Sequence, residues 1–161
     1  MNDSVEIVPF SEEYADAVAS LTIEAWTPIR EEFKILLGDE LYGLEFESWQ
    51  EKKTRIVLEK MRSGRGFVAI LDGELVGFIH YQMSEDGRSG EVGNNAVSNK
   101  FRGRGIAQIM CSYVIEKMKA EGAEYATVVT GLDDAHAPAR RSYEKAGFCR
   151  SLPSVRYFKK I

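Results

Sequence analysis

The run Val97-Ser98-Asn99-Lys100-Phe101-Arg102-Gly103-Arg104-Gly105-Ile106-Ala107-Gln108 limits the fold more than any other stretch, because it joins a strand-like segment to a strong helix. Two glycines one residue apart keep side chains away from a close ligand, and the following helix presents free N–H groups and the positive end of its dipole. That combination binds phosphate. Arg102 and Arg104 add forked guanidinium donors that match phosphate oxygens. The turn is not a dinucleotide fingerprint: Gln108 occupies the third glycine position, and the upstream elements do not start as a βαβ unit. No Gly-Lys-Ser or Gly-Lys-Thr follows, which excludes a P-loop. A surface turn with basic decoration would use the same residues.

Read in order, Val5 to Phe10 fits a short first strand near an edge, with Pro9 at its end. Ser11 offers an N-cap, Glu12 and Glu13 suit a first helical turn, and Tyr14, Val18, Leu21 and Ala25 share a face. Thr27-Pro28 reads as a fresh N-cap with proline at the first helical position, starting a helix that stops at Gly38. Asp39 to Leu44 is turn-rich, and Phe46, Trp49, Lys53, Val57 and Met61 then recur at helical spacing.

Gly66 to Leu71 and Glu74 to Met83 read as strands joined by the Asp72-Gly73 hairpin turn, and a third strand runs from about Arg88 to Val97 after Asp86-Gly87. Gly93-Asn94-Asn95 within it predicts a bulge that frees backbone groups for a ligand. Ile106, Met110, Val114 and Met118 form one helical stripe ended by Gly122. Ala123 to Thr130 reads as a buried strand, Asp134 to Ala146 as a helix stopped by Gly147, and Phe148–Leu152 and Val155–Lys159 as two last strands around Pro153-Ser154. The order β-α-α-β-β-β-α-β-α-β-β predicts an α/β (α+β) domain with a mixed, largely antiparallel central sheet flanked by helices.

A length of 161 residues predicts a single domain over 1–161. Hydrophobic content of 44% with 29% charged residues suits a soluble protein, and no apolar run spans a membrane. Met1 to Glu6 carries no leader pattern, so the cytoplasm is the expected location. The formal charge of −4, without a basic block, argues against nucleic acid. Cys111 and Cys149 lack disulfide or zinc spacing and read as small packing residues; His80 and His136 make no metal-ligand spacing.

Arg102-Gly103-Arg104-Gly105-Ile106-Ala107 resembles the Arg/Gln-x-x-Gly-x-Gly/Ala signature of the GNAT N-acetyltransferases, and Val97 stands where that family's central strand ends. His136-Ala137-Pro138-Ala139-Arg140-Arg141-Ser142-Tyr143-Glu144-Lys145-Ala146-Gly147-Phe148 is similar to the family's Asn-x-x-Ala-x-x-x-Tyr-x-x-x-Gly-Phe pattern, with His136 in place of Asn. The two signatures, in order, cover roughly residues 66 to 160. The resemblance implies the GNAT fold, with the strands ending near Val97 and Thr130 splayed around the pantetheine arm of acetyl-CoA. It also implies direct acetyl transfer to a primary amine, with no metal. The coenzyme set would be Asn95, Val97, Arg102, Gly103, Arg104, Gly105, Ile106, Ala107, His136 and Tyr143. Tyr143 would be the acid that protonates the departing thiolate, since a phenol near pKa ~10 holds its proton at neutral pH. Glu91 would be the base, with an exposed strand residue as its plainer reading. A backbone N–H near Asn95 would serve the oxyanion. His136 would bind the coenzyme or an attacking amine, or sit near the helix N-cap.

The acceptor has no motif. Glu31, Glu32, Asp39, Glu40, Glu45 and Glu47 crowd the helical insert, which suggests an acidic mouth for a small cationic amine built from Glu31 with Trp26 and Tyr42. Solvated helix faces would carry the same acids. The expected partners are thus a small-molecule amine and, as an option, a second copy in a homodimer. A silent acyl-CoA sensor, a protein or peptide amine acetyltransferase, and a scaffold binding some other anion are the competing readings.

Overall fold

The structure, a computed structural model, describes residues 4–161; Met1, Asn2 and Asp3, on which the leader reading partly rests, lie outside them. The elements are β1 (Glu6–Pro9), α1 (Ala15–Phe46), α2 (Trp49–Met61), β2 (Gly66–Leu71), β3 (Glu74–Met83), β4 (Ser89–Val97), α3 (Ile106–Ala120), β5 (Tyr125–Val128) and α4 (Ala137–Lys145). One sheet runs β1-β2-β3-β4-β5, antiparallel except for the parallel β4–β5 pair. The Asp72-Gly73 hairpin forms as read, with φ of 50° and 77° at its two central residues, the twist that joins right-handed strands.

Strand alternation sends side chains to two cores. Phe67, Ala69 and Leu71 of β2 face the α3 stripe of Ile106, Met110, Cys111, Val114 and Met118, while Val68 faces Val18, Leu21, Val57 and Met61 of α1 and α2. The period-2 pattern thus places α1 and α2 on one face and α3 and α4 on the other. Gly90 lets α3 close on β4, since a Cβ there would lie 2.5 Å from the Met118 sulfur.

Five expectations are corrected. Thr27 does not cap a second helix: its Oγ1 donates to the Ile23 carbonyl at 2.7 Å and Pro28 lies inside α1. The packed face of Val18 and Leu21 carries the helix through a proline that costs it one backbone bond. The interruption falls instead at Gly38, with φ 74° and ψ 162°, and residues 39–46 are helical rather than turn. The two last strands do not form: residues 148–161 are irregular, with Leu152 98% and Tyr157 90% exposed. Arg156 donates to Glu45 at 2.7 Å and Lys160 pairs with Glu40, so this arm follows the end of α1 and not the sheet. In consequence β5 is an edge strand with Tyr125 exposed, not a buried one, and Cys149 is exposed rather than packed. Cys111 is buried as read, and that burial pushes its thiol up to about 11.

Candidate active site

The site begins where two strands part. β4 and β5 pair from Ser89↔Tyr125 to Val92↔Val128, and the pairing then stops although β4 continues to Val97. A bulge sits at the parting point: Ile79 faces Asn95 and Tyr81 faces Val92, so His80 alone spans Gly93 and Asn94. The bulge was legible as Gly93-Asn94-Asn95, but one of its backbone groups is taken within the protein, because the Asn94 N–H donates to His80 Nε2 at 2.9 Å.

Beyond the parting strands lies a cleft of ≈ 900 Å³. Its one end is the glycine turn. Gly103 and Gly105 both take left-handed φ, 79° and 78°, with nothing within 4 Å of where a Cβ would stand, so backbone rather than side chain faces the open space. The first bond closed by α3 runs from the Ile109 N–H to the Gly105 carbonyl at 3.0 Å. The N–H groups of Ile106, Ala107 and Gln108 therefore precede the helical ladder, on residues that line the cleft. Arg102 lines it as well; Arg104 lies outside the lining, its guanidinium 5.2 Å from the Phe101 ring centroid.

Tyr143 stands on the wall between the turn and the strand gap. The end of α4 sets its place: Gly147 takes φ 97°, the Phe148 N–H reaches back to the Tyr143 carbonyl at 3.1 Å, and the two rings meet edge to face at 6.1 Å. This is the glycine helix stop with its apolar contact, so the Gly-Phe of the sequence fixes the tyrosine. The Asn95 side-chain amide donates to the Tyr143 hydroxyl at 2.9 Å and to the Gly93 carbonyl at 3.0 Å. With its oxygen accepting from Asn95, the phenol keeps its own proton for another acceptor. Burial raises the Tyr143 pKa despite the opposing Asn95 bond, with Cys111 adding to the rise.

His136 lines the cleft at the N-cap of α4, and its Nδ1 is tied to Asp133 Oδ2 at 2.6 Å. Asp133 also accepts from the His136 N–H at 3.1 Å, so one carboxylate fixes both ring and backbone. Val97, Asn95 and Glu91 line the cleft, and Gln82 approaches Glu91 Oε1 at 3.5 Å.

Of the three acceptor residues read from the sequence, Trp26 lines the cleft, whereas Glu31 and Tyr42 do not. Tyr42 packs on Phe46, part of the aromatic group around the Arg30 guanidinium. The acids of the insert do not gather at the mouth. Glu32 accepts from the Ala135 N–H at 2.9 Å, Glu40 and Glu45 pair with the C-terminal arm, and Asp39 pairs with Lys34. The partners of Glu32, Glu40 and Glu45 come from segments far away in sequence, which is why composition alone suggested an acidic mouth.

The residues that sequence reasoning missed at this end are Lys53, His80 and Asn94, all on the lining. Lys53 Nζ donates to Asn94 Oδ1 at 2.6 Å and sits 4.3 Å from the Trp26 ring centroid. A lysine within the apolar stripe of Phe46, Trp49, Val57 and Met61 was the signal that could have found it. His80 is 3% exposed, and burial, with Lys60 and Lys53 adding to it, pushes it down to about 4, so its ring is neutral.

A sheet parted beside a phosphate-type helix terminus, with a buried phenol on the wall between, defines an acyl-coenzyme A type of site. The profile of the acetyltransferase (GNAT) family matches residues 26–148, and the chain belongs to that family. The chain is similar to N-acetylaspartate synthetase of Danio rerio, 36% identical over 84 residues, which are 52% of this chain and 29% of that protein. It is also similar to the Homo sapiens protein of that name, 33% identical over 82 residues, 51% of this chain and 26% of that one. The matched region thus spans less than a third of these curated relatives. Among solved structures, the fold is shared with a PaiA N-acetyltransferase from Thermoplasma acidophilum in complex with coenzyme A, at TM-score 0.71 and 19% identity over 91% of this chain and 90% of that one. It is shared too with the aminoglycoside N-acetyltransferase AAC(6')-Iy in complex with CoA, at TM-score 0.68 and 15% identity over 100% and 98% of the two chains. The open glycine turn, the N–H groups that open α3 and the strand gap fit an acyl-coenzyme A molecule. Among the described residues no helix is long and apolar enough to cross a membrane.

Proposed function

We propose that this protein transfers the acetyl group of acetyl-CoA to the primary amine of a small molecule by direct attack within a ternary complex. The observation that carries the reading is the seating of Tyr143 in the cleft, its oxygen accepting from Asn95 and its proton uncommitted. Acetyl-CoA supplies the acyl group as a thioester. The N–H groups from Gly103 to Ala107 with Arg102 hold the pyrophosphate, and Arg104, outside the lining, adds positive charge beside it. The exposed backbone of Val97 orients the pantetheine arm, and His136, fixed by Asp133, borders it.

The amine nitrogen attacks the thioester carbonyl, the C–N bond forms and the C–S bond breaks. Glu91, directly or through a water, takes the proton that the amine loses, and Tyr143 gives its proton to the departing sulfur, so the products are an amide and a neutral thiol. The raised pKa of Tyr143 keeps it in the donating form at neutral pH. Oxyanion stabilisation falls to a backbone N–H of the β4 segment about Asn95, since that of Asn94 is committed to His80.

The names of the relatives and neighbours bring aspartate and aminoglycosides into the acceptor panel. The test is thiol release from acetyl-CoA with amino acids, polyamines, amino sugars and peptide N-termini. Amine-dependent release with recovery of the N-acetyl product is the expected outcome. Thermal stabilisation by acetyl-CoA without turnover on any amine would instead leave a coenzyme-binding sensor.

A further inference from the structure

The acceptor end of the cleft is cationic where the sequence suggested acid. Lys53 and Lys60 line it from α2, and the acids on the whole lining are Glu91 and Asp134. Lys60 donates to the neutral amide oxygen of Gln82 at 3.3 Å. Lys53 is half-buried, and its two neighbours, the Asn94 amide oxygen and the Trp26 ring face, hold an ammonium without neutralising it. No carboxylate lies within ion-pair distance of Lys53 among the described residues, although surface cations such as Arg62, Arg65 and Arg88 have one. A half-buried cation without a counter-ion is costly unless a ligand supplies one.

The surroundings of Lys53 are built to aim it. The Asn94 N–H donates to His80 Nε2, and the Asn94 amide nitrogen lies 3.1 Å from the same atom, which leaves Oδ1 turned to Lys53. The His80 ring can stand there because position 93 is glycine: a Cβ on Gly93 would lie 1.9 Å from His80 Cε1. The neutral ring keeps the lone pair that receives Asn94. The β4 bulge therefore serves the acceptor end, through His80 and Asn94, as much as the coenzyme.

We propose that Lys53 binds a carboxylate of the acceptor, so that the preferred substrate is an amine that also bears an acid group, of the amino-acid class. This rests on the acetyltransferase reading above and replaces the cationic acceptor suggested by the sequence. The carboxylate docks on Lys53 against Trp26, with the Lys60 charge beside it, and the amine points along the cleft toward Glu91 and Tyr143. Asn94 and His80 are positioning residues for Lys53.

Burial, with the Arg30 charge adding to it, pushes Lys53 down to about 8. The titratable and charged groups that face it are Arg30 of α1, Lys60 of α2, the neutral His80 of β3 and Glu91 of β4, so acid binding should weaken as pH rises through that value. In Lys53→Arg, whose guanidinium keeps its proton, this pH dependence should vanish.

The experiment compares aspartate, its bis-amide and spermidine as acceptors, at saturating acetyl-CoA, in the wild type, Lys53→Gln, Lys53→Arg and Asn94→Ala. The wild type should favour aspartate over the bis-amide in kcat/KM, and Lys53→Gln should raise KM for aspartate at least roughly tenfold with kcat little changed. The bis-amide should not respond to that substitution, Lys53→Arg should retain part of the acid preference, and Asn94→Ala should lose some of it. A wild type that prefers spermidine or the bis-amide, or a Lys53→Gln variant that loses both substrates equally, overturns the proposal. Succinate, a carboxylate without an amine, separates the two readings by calorimetric titration of the CoA-loaded protein. Binding that disappears in Lys53→Gln supports the carboxylate site even if no amine is acetylated, and absence of succinate binding in the wild type counts against it.

Discussion

Tyr143 shows how one side chain is made ready by its neighbours. Burial holds the phenol protonated, Asn95 occupies its lone pair, and the Gly147-Phe148 stop of α4 fixes its ring. Tyr143→Phe keeps the ring and its contact with Phe148 while removing the proton proposed for the departing sulfur. Turnover should fall roughly ten- to a thousandfold, the usual worth of a positioned acid, with acetyl-CoA affinity within severalfold of the wild type. Single-turnover kinetics with chemistry limiting is the measurement, and an unchanged rate would take Tyr143 out of the mechanism. Tyr143 and Phe148 were readable at this site through the resemblance of their segment to the family pattern, and Gly147 as a helix stop. The bond from Asn95 was not, because it joins residues 48 positions apart across two elements.

Among the elements, the turn into α3 is the proposed seat of the coenzyme's charge. Its glycines take conformations that a Cβ would strain, and the first turn of α3 leaves its N–H groups pointing from the helix end. Acetyl-CoA should raise the melting temperature of the wild type, since a ligand that binds only the native state stabilises it by mass action. Charge reversal of both Arg102 and Arg104 to Glu should remove most of that rise while leaving the unliganded melting temperature close to the wild type, because both side chains are exposed and neither closes an ion pair among the described residues. An equal rise in the double variant, read by differential scanning fluorimetry, would mean that the pyrophosphate lies elsewhere. The glycine pattern and helix start were legible as local signals. The fate of Thr27-Pro28 was not, because a cap signal and a tolerated mid-helix proline look alike until the packing of Val18 and Leu21 decides between them.

For the molecule as a whole, the C-terminal arm is the part least bound to the rest. Its side chains past Phe148 are largely exposed, and two surface ion pairs, Arg156 with Glu45 and Lys160 with Glu40, tie it to α1. Pairs of this kind contribute about 0–1 kcal/mol each, and 1 kcal/mol corresponds to roughly 2–4 °C for a chain of this size. Deleting residues 149–161 should therefore lower the melting temperature by less than about 8 °C in calorimetry and leave a cooperative transition; loss of that transition would show the arm to be structural. Phe148 must stay, since it packs in the core beside Tyr143. The sequence by itself determined whatever rests on local periodicity and turn chemistry: the strand alternation around Asp72-Gly73, the α3 stripe, the bulge at Gly93-Asn94, the glycine turn and the helix that presents Tyr143. Only the tertiary structure decided the rest. It left the β5 edge uncovered, paired Glu40 and Glu45 of the insert with the distant arm, and set Lys53 on Asn94 and Trp26 with no counter-charge among the described residues. These outcomes depend on which remote side chain meets which, and the free energy of a charge is set by partners and burial that neighbours in sequence do not specify.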